Sequence, residues 1–207
     1  MMGPIRALGG VAVAIAVVSI LILVPQAQGT ISFSISGTWP AGPDYATDVL
    51  GDPWDFSNAE DVGLDPTETI GWSSFSVANG LAGGATSTTD TTMSLLYRGR
   101  YGIVNPGRTG RRFPIDPSRF QKVAFKMSDS AGGQNDFPQV YWFHYPWGDP
   151  AIPASDPTKT GYGVRLLSST VSGAQVYVAD LTQSLNSGLP WTSGVIRGFR
   201  IDRKSVV

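Results

Sequence analysis

The sequence contains no cysteine. That excludes a disulfide framework, a thiolate metal site and a cysteine nucleophile. Export usually permits disulfides, so an exported chain of this kind must hold its fold by packing alone. Histidine is nearly missing: His144 stands alone, which excludes a poly-histidine metal site within one chain. Charge is sparse, at 15% of residues, and the net charge of -1 leaves no basic footprint for nucleic acid. Glutamate occurs only at Glu60 and Glu68. A glycosidase needs two carboxylates flanking the scissile bond, and no pair stands out. A G-x-S-x-G nucleophile elbow is also lacking. A Ser-His-Asp triad would have to use His144, which reads as a packed or hydrogen-bonded residue at a strand end rather than a base. The chain therefore reads as non-catalytic.

What is present points to an exported β-protein. The 207 residues are 42% hydrophobic, enough for one domain with a buried core plus a leader. Arg6 precedes an apolar run over residues 11–24, which Pro25 ends before Ala27-Gln28-Gly29. A positive start, an apolar centre and small residues at the end are the parts of a secretory signal. The run is short of the ~20 apolar residues that a membrane span needs, though extension back to Ala7 approaches it. Residues 1–29 are thus either a cleaved signal or a retained N-terminal anchor helix. Both place the remainder outside the cytoplasm or on the cell surface, with membrane contact only through an uncleaved leader.

The body, residues 30–202, carries strand signals and no long helix. Ile31, Phe33 and Ile35 alternate with serines, as in a half-buried strand. Further strand signals lie at residues 72–77, 93–97, 123–127, 140–145, 163–167, 175–178 and 194–201, with 163–167 and 175–178 expected to pair. Asn79-Gly80 reads as a tight turn and residues 83–92 as a small, polar loop. Val140, Trp142 and His144 alternate with Tyr141, Phe143 and Tyr145, so both faces of that strand bear large groups. About nine strands at this spacing predict an all-β antiparallel sandwich. The last six residues, Asp202 to Val207, coincide with what one frame of a common sequencing-library adapter encodes. Residues 203–207 are accordingly expected to be a non-native tail on a truncated domain, with a natural basic tail as the alternative.

The acidic stretch over residues 48–61 is the densest cluster of polar chemistry. Pro53 and Gly51 prevent one helix through it, and Ser57 with Glu60 fits a capping box on a short turn. Its first reading is a clamp closing one sandwich edge, with Trp54 and Phe56 inserted into the core. Its second is a calcium site, since Ca²⁺ takes six to eight oxygens, several from carboxylates. The candidate ligands are Asp48, Asp52, Asp55 and Asp61, joined by Asp202 from the far end, with Asp44 also near in sequence. The EF-hand spacing is absent, and turn and capping chemistry accounts for the same residues.

One further pattern concerns order along the chain. An Asp52-Pro53-Trp54-Asp55-Phe56 segment follows the first strand. An Arg100-Tyr101-Gly102 turn follows, then residues 115–123 (IDPSRFQKV), an aromatic strand, and Trp191 before residues 195–202 (VIRGFRID). This order resembles the galactose-binding-like, carbohydrate-binding-module jelly rolls of secreted bacterial proteins, over residues 31–202. The resemblance implies a jelly-roll sandwich that binds glycan through aromatic rings, often with a structural calcium, within a larger surface or secreted protein. It equally allows a structural or adhesion module packed on neighbouring domains, or the N-terminal part of a secreted glycoside hydrolase. For glycan binding the candidates are the loop residues Trp39 and Trp147, with Tyr145, Asp149 and Arg111. Arg108, Arg111 and Arg112 together could also hold an anionic polymer or a phosphate.

Overall fold

The computed structural model describes residues 29–34, 41–63, 69–88, 90–104, 107–130, 136–146, 148, 150, 162–166, 173–183 and 187–205. The leader reading falls on residues outside this set, apart from Gly29. Among the described residues ten strands form two antiparallel sheets. They are β1 (Thr30–Ser34), β2 (Ser76–Ala78), β3 (Leu81–Ala85), β4 (Asp90–Leu96), β5 (Lys122–Asp129), β6 (Asp136–Phe143), β7 (Tyr162–Leu166), β8 (Gly173–Asp180), β9 (Ser187–Gly188) and β10 (Gly198–Ser205). The first sheet has the order β2-β3-β1-β5-β8 and the second β4-β10-β6-β7-β9. The chain is an all-β sandwich.

Alternation decides which side chains enter the space between the sheets. Ile31 and Phe33 of β1, Phe125 and Met127 of β5 and Tyr177 of β8 come from the first sheet. Met93, Val140, Trp142, Phe199 and Ile201 meet them from the second. The outward face of β1 is polar, and Ser32 bonds Ser128 across the ladder at 2.7 Å. The strand that the alternation places over residues 194–201 begins later, at Gly198, and runs on through Ser205. It pairs with β4 on one side and β6 on the other, so Asp202 and Arg203 lie inside a central strand. Arg203 Nε donates to Asp129 Oδ2 at 2.8 Å, and this ion pair joins the second sheet to the first.

Three local readings need correction. The strands near 163–167 and 175–178 do not pair with each other: β7 joins β6 and β9, while β8 joins β5 in the opposite sheet. Residues 83–92 are not a loop, for they contain most of β3 and the start of β4. Glycine hid β3 because it offers no alternation to read. It is there because a Cβ on Gly84 would fall 1.9 Å from the Ser74 carbonyl oxygen. The cap of the short turn over Ala59–Asp61 is Asn58 rather than Ser57: its side chain accepts from Glu60 N at 2.9 Å. The Asn79-Gly80 turn does join β2 to β3, with φ of 54° and 80°.

Candidate functional site

A cleft of about 520 Å³ opens where β6 ends, within the size range of ligand sites. It is lined by His144, Tyr145 and Pro146 after β6, by Ser193, Gly194, Val195 and Arg197 before β10, and by Tyr101 and Arg111 from the loop after β4. Backbone bonds lock these segments together. Ile115 and Ile196 exchange both hydrogen bonds, at 2.8 and 2.9 Å, and Arg197 N donates to Phe143 O at 2.6 Å. Gly110 N donates to Tyr97 O at 2.8 Å, and a Cβ on Gly110 would fall 1.7 Å from Arg197 O. Only glycine permits that approach, which sets Arg111 beside Arg197. Behind the cleft, Trp191 begins the 3₁₀ turn Trp191–Ser193 and donates its indole N–H to Phe120 O at 2.8 Å.

The lining combines exposed rings with guanidinium donors. Tyr101 is 49% exposed and Tyr145 37% exposed. Arg111 Nη1 donates to the carbonyls of Arg100 and Ile103, each at 2.8 Å, and its guanidinium stands 5.9 Å from the Tyr101 ring centre. Two backbone acceptors thus orient the fork while Nε and Nη2 remain for other partners. Arg197 Nη1 makes one long contact, 3.5 Å, to Arg111 O. Neither arginine is within ion-pair distance of a carboxylate among the described residues.

His144 lies beneath this surface, 5% exposed. Its Nε2 is 3.1 Å from Pro190 O, which requires the proton on Nε2 and leaves Nδ1 as an acceptor. Nδ1 is buried without a hydrogen-bond partner among the described residues, and Gly194 places no side chain over it. Burial is the main influence on His144 and lowers its pKa below the ordinary value, against opposing backbone groups at Pro190, Val195 and Gly194. The folded protein therefore takes up this proton at lower pH than the unfolded chain does. The stability contribution is complete above the unfolded value near ~6.5 and is lost as pH falls through the lower folded value. Unfolding free energies from urea titrations should decline as pH falls below about 7.5, by at most ~1.4 kcal/mol per pH unit from this group. His144→Gln, which keeps an N–H for Pro190, should flatten that decline; an unchanged profile would remove His144 as its origin.

Of the residues singled out for glycan binding, Tyr145 and Arg111 thus share one cleft. Trp39, Trp147 and Asp149 lie outside the described residues. Tyr101 and Arg197 complete the lining, and no periodicity marks them in the sequence.

The carboxylates considered for calcium lie near arginines or backbone donors, with Arg108 shared by Asp52 and Asp61. Asp48 pairs with Arg119, Asp52 with Arg108 at 2.7 Å, and Asp202 with Arg200 at 3.0 Å. Asp55 Oδ1 accepts from Ser57 N at 2.8 Å. Asp61 is fully buried, with Arg108 Nη1 3.6 Å from Oδ1. The hydrogen bond from Arg108, with that from Asn58, holds Asp52 below the usual carboxylate range, whereas burial pushes Asp61 above it. Among the described residues no group of three or more acidic or histidine side chains is placed to hold a metal ion. Phe56 is buried, and Trp54 packs against Tyr45 and Phe199 at ring separations of 5.4 and 6.5 Å. A second cleft, of about 380 Å³, lies beside Trp54, but its Arg119 is already matched by Asp48.

No protein-family model, no curated protein and no solved structure matches this chain.

Proposed function

We propose that this chain is an exported, non-catalytic sandwich of jelly-roll type that binds glycan, as a carbohydrate-binding-like module of a larger surface or secreted protein. The observation that carries the reading is the cleft in which Tyr101 and Tyr145 stand exposed beside the Arg111 and Arg197 guanidinium groups. Sugars present apolar C–H faces and hydroxyls, so a ring beside fixed polar groups is their natural complement. The backbone locks around Gly110, Ile115 and Arg197 supply the preorganisation such a site needs. The one histidine is committed to Pro190 O, in keeping with binding rather than catalysis. Affinity electrophoresis in gels containing soluble polysaccharides should retard the protein. Tyr101→Ala and Tyr145→Ala should each weaken retention by up to about tenfold while leaving the melting temperature close to wild type. A folded protein retarded by no polymer would overturn the reading.

A second reading, a structural module packed on a neighbouring domain, rests on a separate feature. Val176 and Val178 face outward from the edge strand β8, 53% and 52% exposed. In that case retention fails with every polymer, and only the longer protein covers this face.

A further inference from the structure

We infer that the glycan taken by the Tyr101–Tyr145 cleft is an acidic one, bearing a carboxylate or sulfate that Arg111 and Arg197 receive. This rests on the glycan-binding reading above and narrows it to a ligand class. The inference comes from the charge balance of the cleft. Elsewhere the described arginines near carboxylates are matched: Arg108 by Asp52, Arg119 by Asp48, Arg200 by Asp202 and Arg203 by Asp129. The arginines of the cleft differ. Arg111 is held by two carbonyl oxygens, which orient it without neutralising it. Arg197 has a single long contact to another carbonyl. Both arginines line the one cleft, and the approach of Gly110 to Arg197 O brings their backbones together. An oxyanion in the cleft would form charge-assisted hydrogen bonds with Nε and Nη2 of Arg111 and with Arg197.

His144 also lines the cleft, at 5% exposure. Its lowered pKa keeps it neutral near pH 7, so it adds no third cation. Guanidinium donors beside tyrosine rings complement an acid sugar better than a neutral one. A bare anion would use the arginines and leave the rings idle.

Calorimetric titration of the purified protein near pH 7 tests this with five probes: polygalacturonate, its methyl ester, dextran sulfate, dextran and poly-L-glutamate. The expected result is binding to polygalacturonate or dextran sulfate about tenfold or more tighter than to the methyl ester or dextran. The better of the two acidic polymers distinguishes carboxylate from sulfate. Arg197→Gln and Arg111→Gln should each weaken that binding by about tenfold with the melting temperature retained. Arg112→Gln, the same charge change at an exposed neighbour outside the cleft, should leave it unchanged. Should Arg111→Gln disturb the loop, Arg197→Gln alone decides. Neutral polymers bound as tightly as acidic ones, with loss on Tyr145→Ala, would overturn the acidic ligand and leave glycan binding standing. Equal binding of poly-L-glutamate would reduce the site to charge alone and overturn both readings. Acidic-polymer binding insensitive to both arginines would move the site elsewhere and overturn the inference.

Discussion

Asp129→Ala should destabilise the domain by about 3–5 kcal/mol, because it removes the ion-pair partner of a buried guanidinium. Arg203 and Asp129 have side chains only 8% and 0% exposed, and they meet at 2.8 Å across the two sheets. Removing either partner takes the ion-pair partner from a charge that burial has largely desolvated. The converse is equally specific. Replacing both together, as Asp129→Leu with Arg203→Met, should recover most of the loss, since a packed apolar pair of similar volume often equals a buried ion pair. Urea denaturation of the two single variants and the double variant measures all three. A single-variant loss below about 1 kcal/mol would mean that the pair is hydrated, as exposed pairs are.

Trp191→Ala should cost a comparable ~3–5 kcal/mol. Trp191 is 2% exposed and meets Trp142 and Phe199 edge-on, with ring centres 5.5 and 6.0 Å apart. Truncation leaves a cavity between the sheets and deprives Phe120 O of its N–H donor. The same residue opens the turn that carries Ser193 and Gly194, so polysaccharide retention should fall along with stability. Trp191→Phe separates the contributions. It keeps much of the packing and loses the hydrogen bond, so its cost should be nearer 1–2 kcal/mol. A variant melting like wild type would show that the indole does not support the turn that carries Ser193.

Local alternation made much of the sandwich legible. Ile31 and Phe33 announced β1, Val123 to Met127 announced β5, and the two-faced run around Trp142 announced a strand buried on both sides. What alternation does not carry is partnership. β7 and β8 follow each other in sequence and each looks like half a hairpin, yet they belong to opposite sheets. That choice is made by distant strands, β6 and β5. The acidic stretch shows the same limit. Its carboxylates are plain in the sequence, but the arginines that answer them, Arg108, Arg119 and Arg200, come from later segments at no fixed spacing. In the cleft, Tyr145 and Arg111 could be picked out as an exposed ring and a loop cation. Tyr101 and Arg197 could not, because a contact between the Gly110 segment and the Arg197 backbone brings them there.

The position of β10 bears on how the domain folds. Phe199 faces Leu96 of β4 on one side and Trp142 of β6 on the other. β4 and β6 have no direct pairing in the sheet order, so they remain apart until β10 arrives between them. During synthesis the first sheet can assemble from β1, β2, β3, β5 and β8 while the second waits. In that interval the facing edges of β4 and β6 offer unpaired amide and carbonyl rows to any extended chain nearby. Closing the second sheet is then a long-range search, which slows folding and lengthens exposure to aggregation. The strand that completes the second sheet is therefore also the one that covers both of those edges.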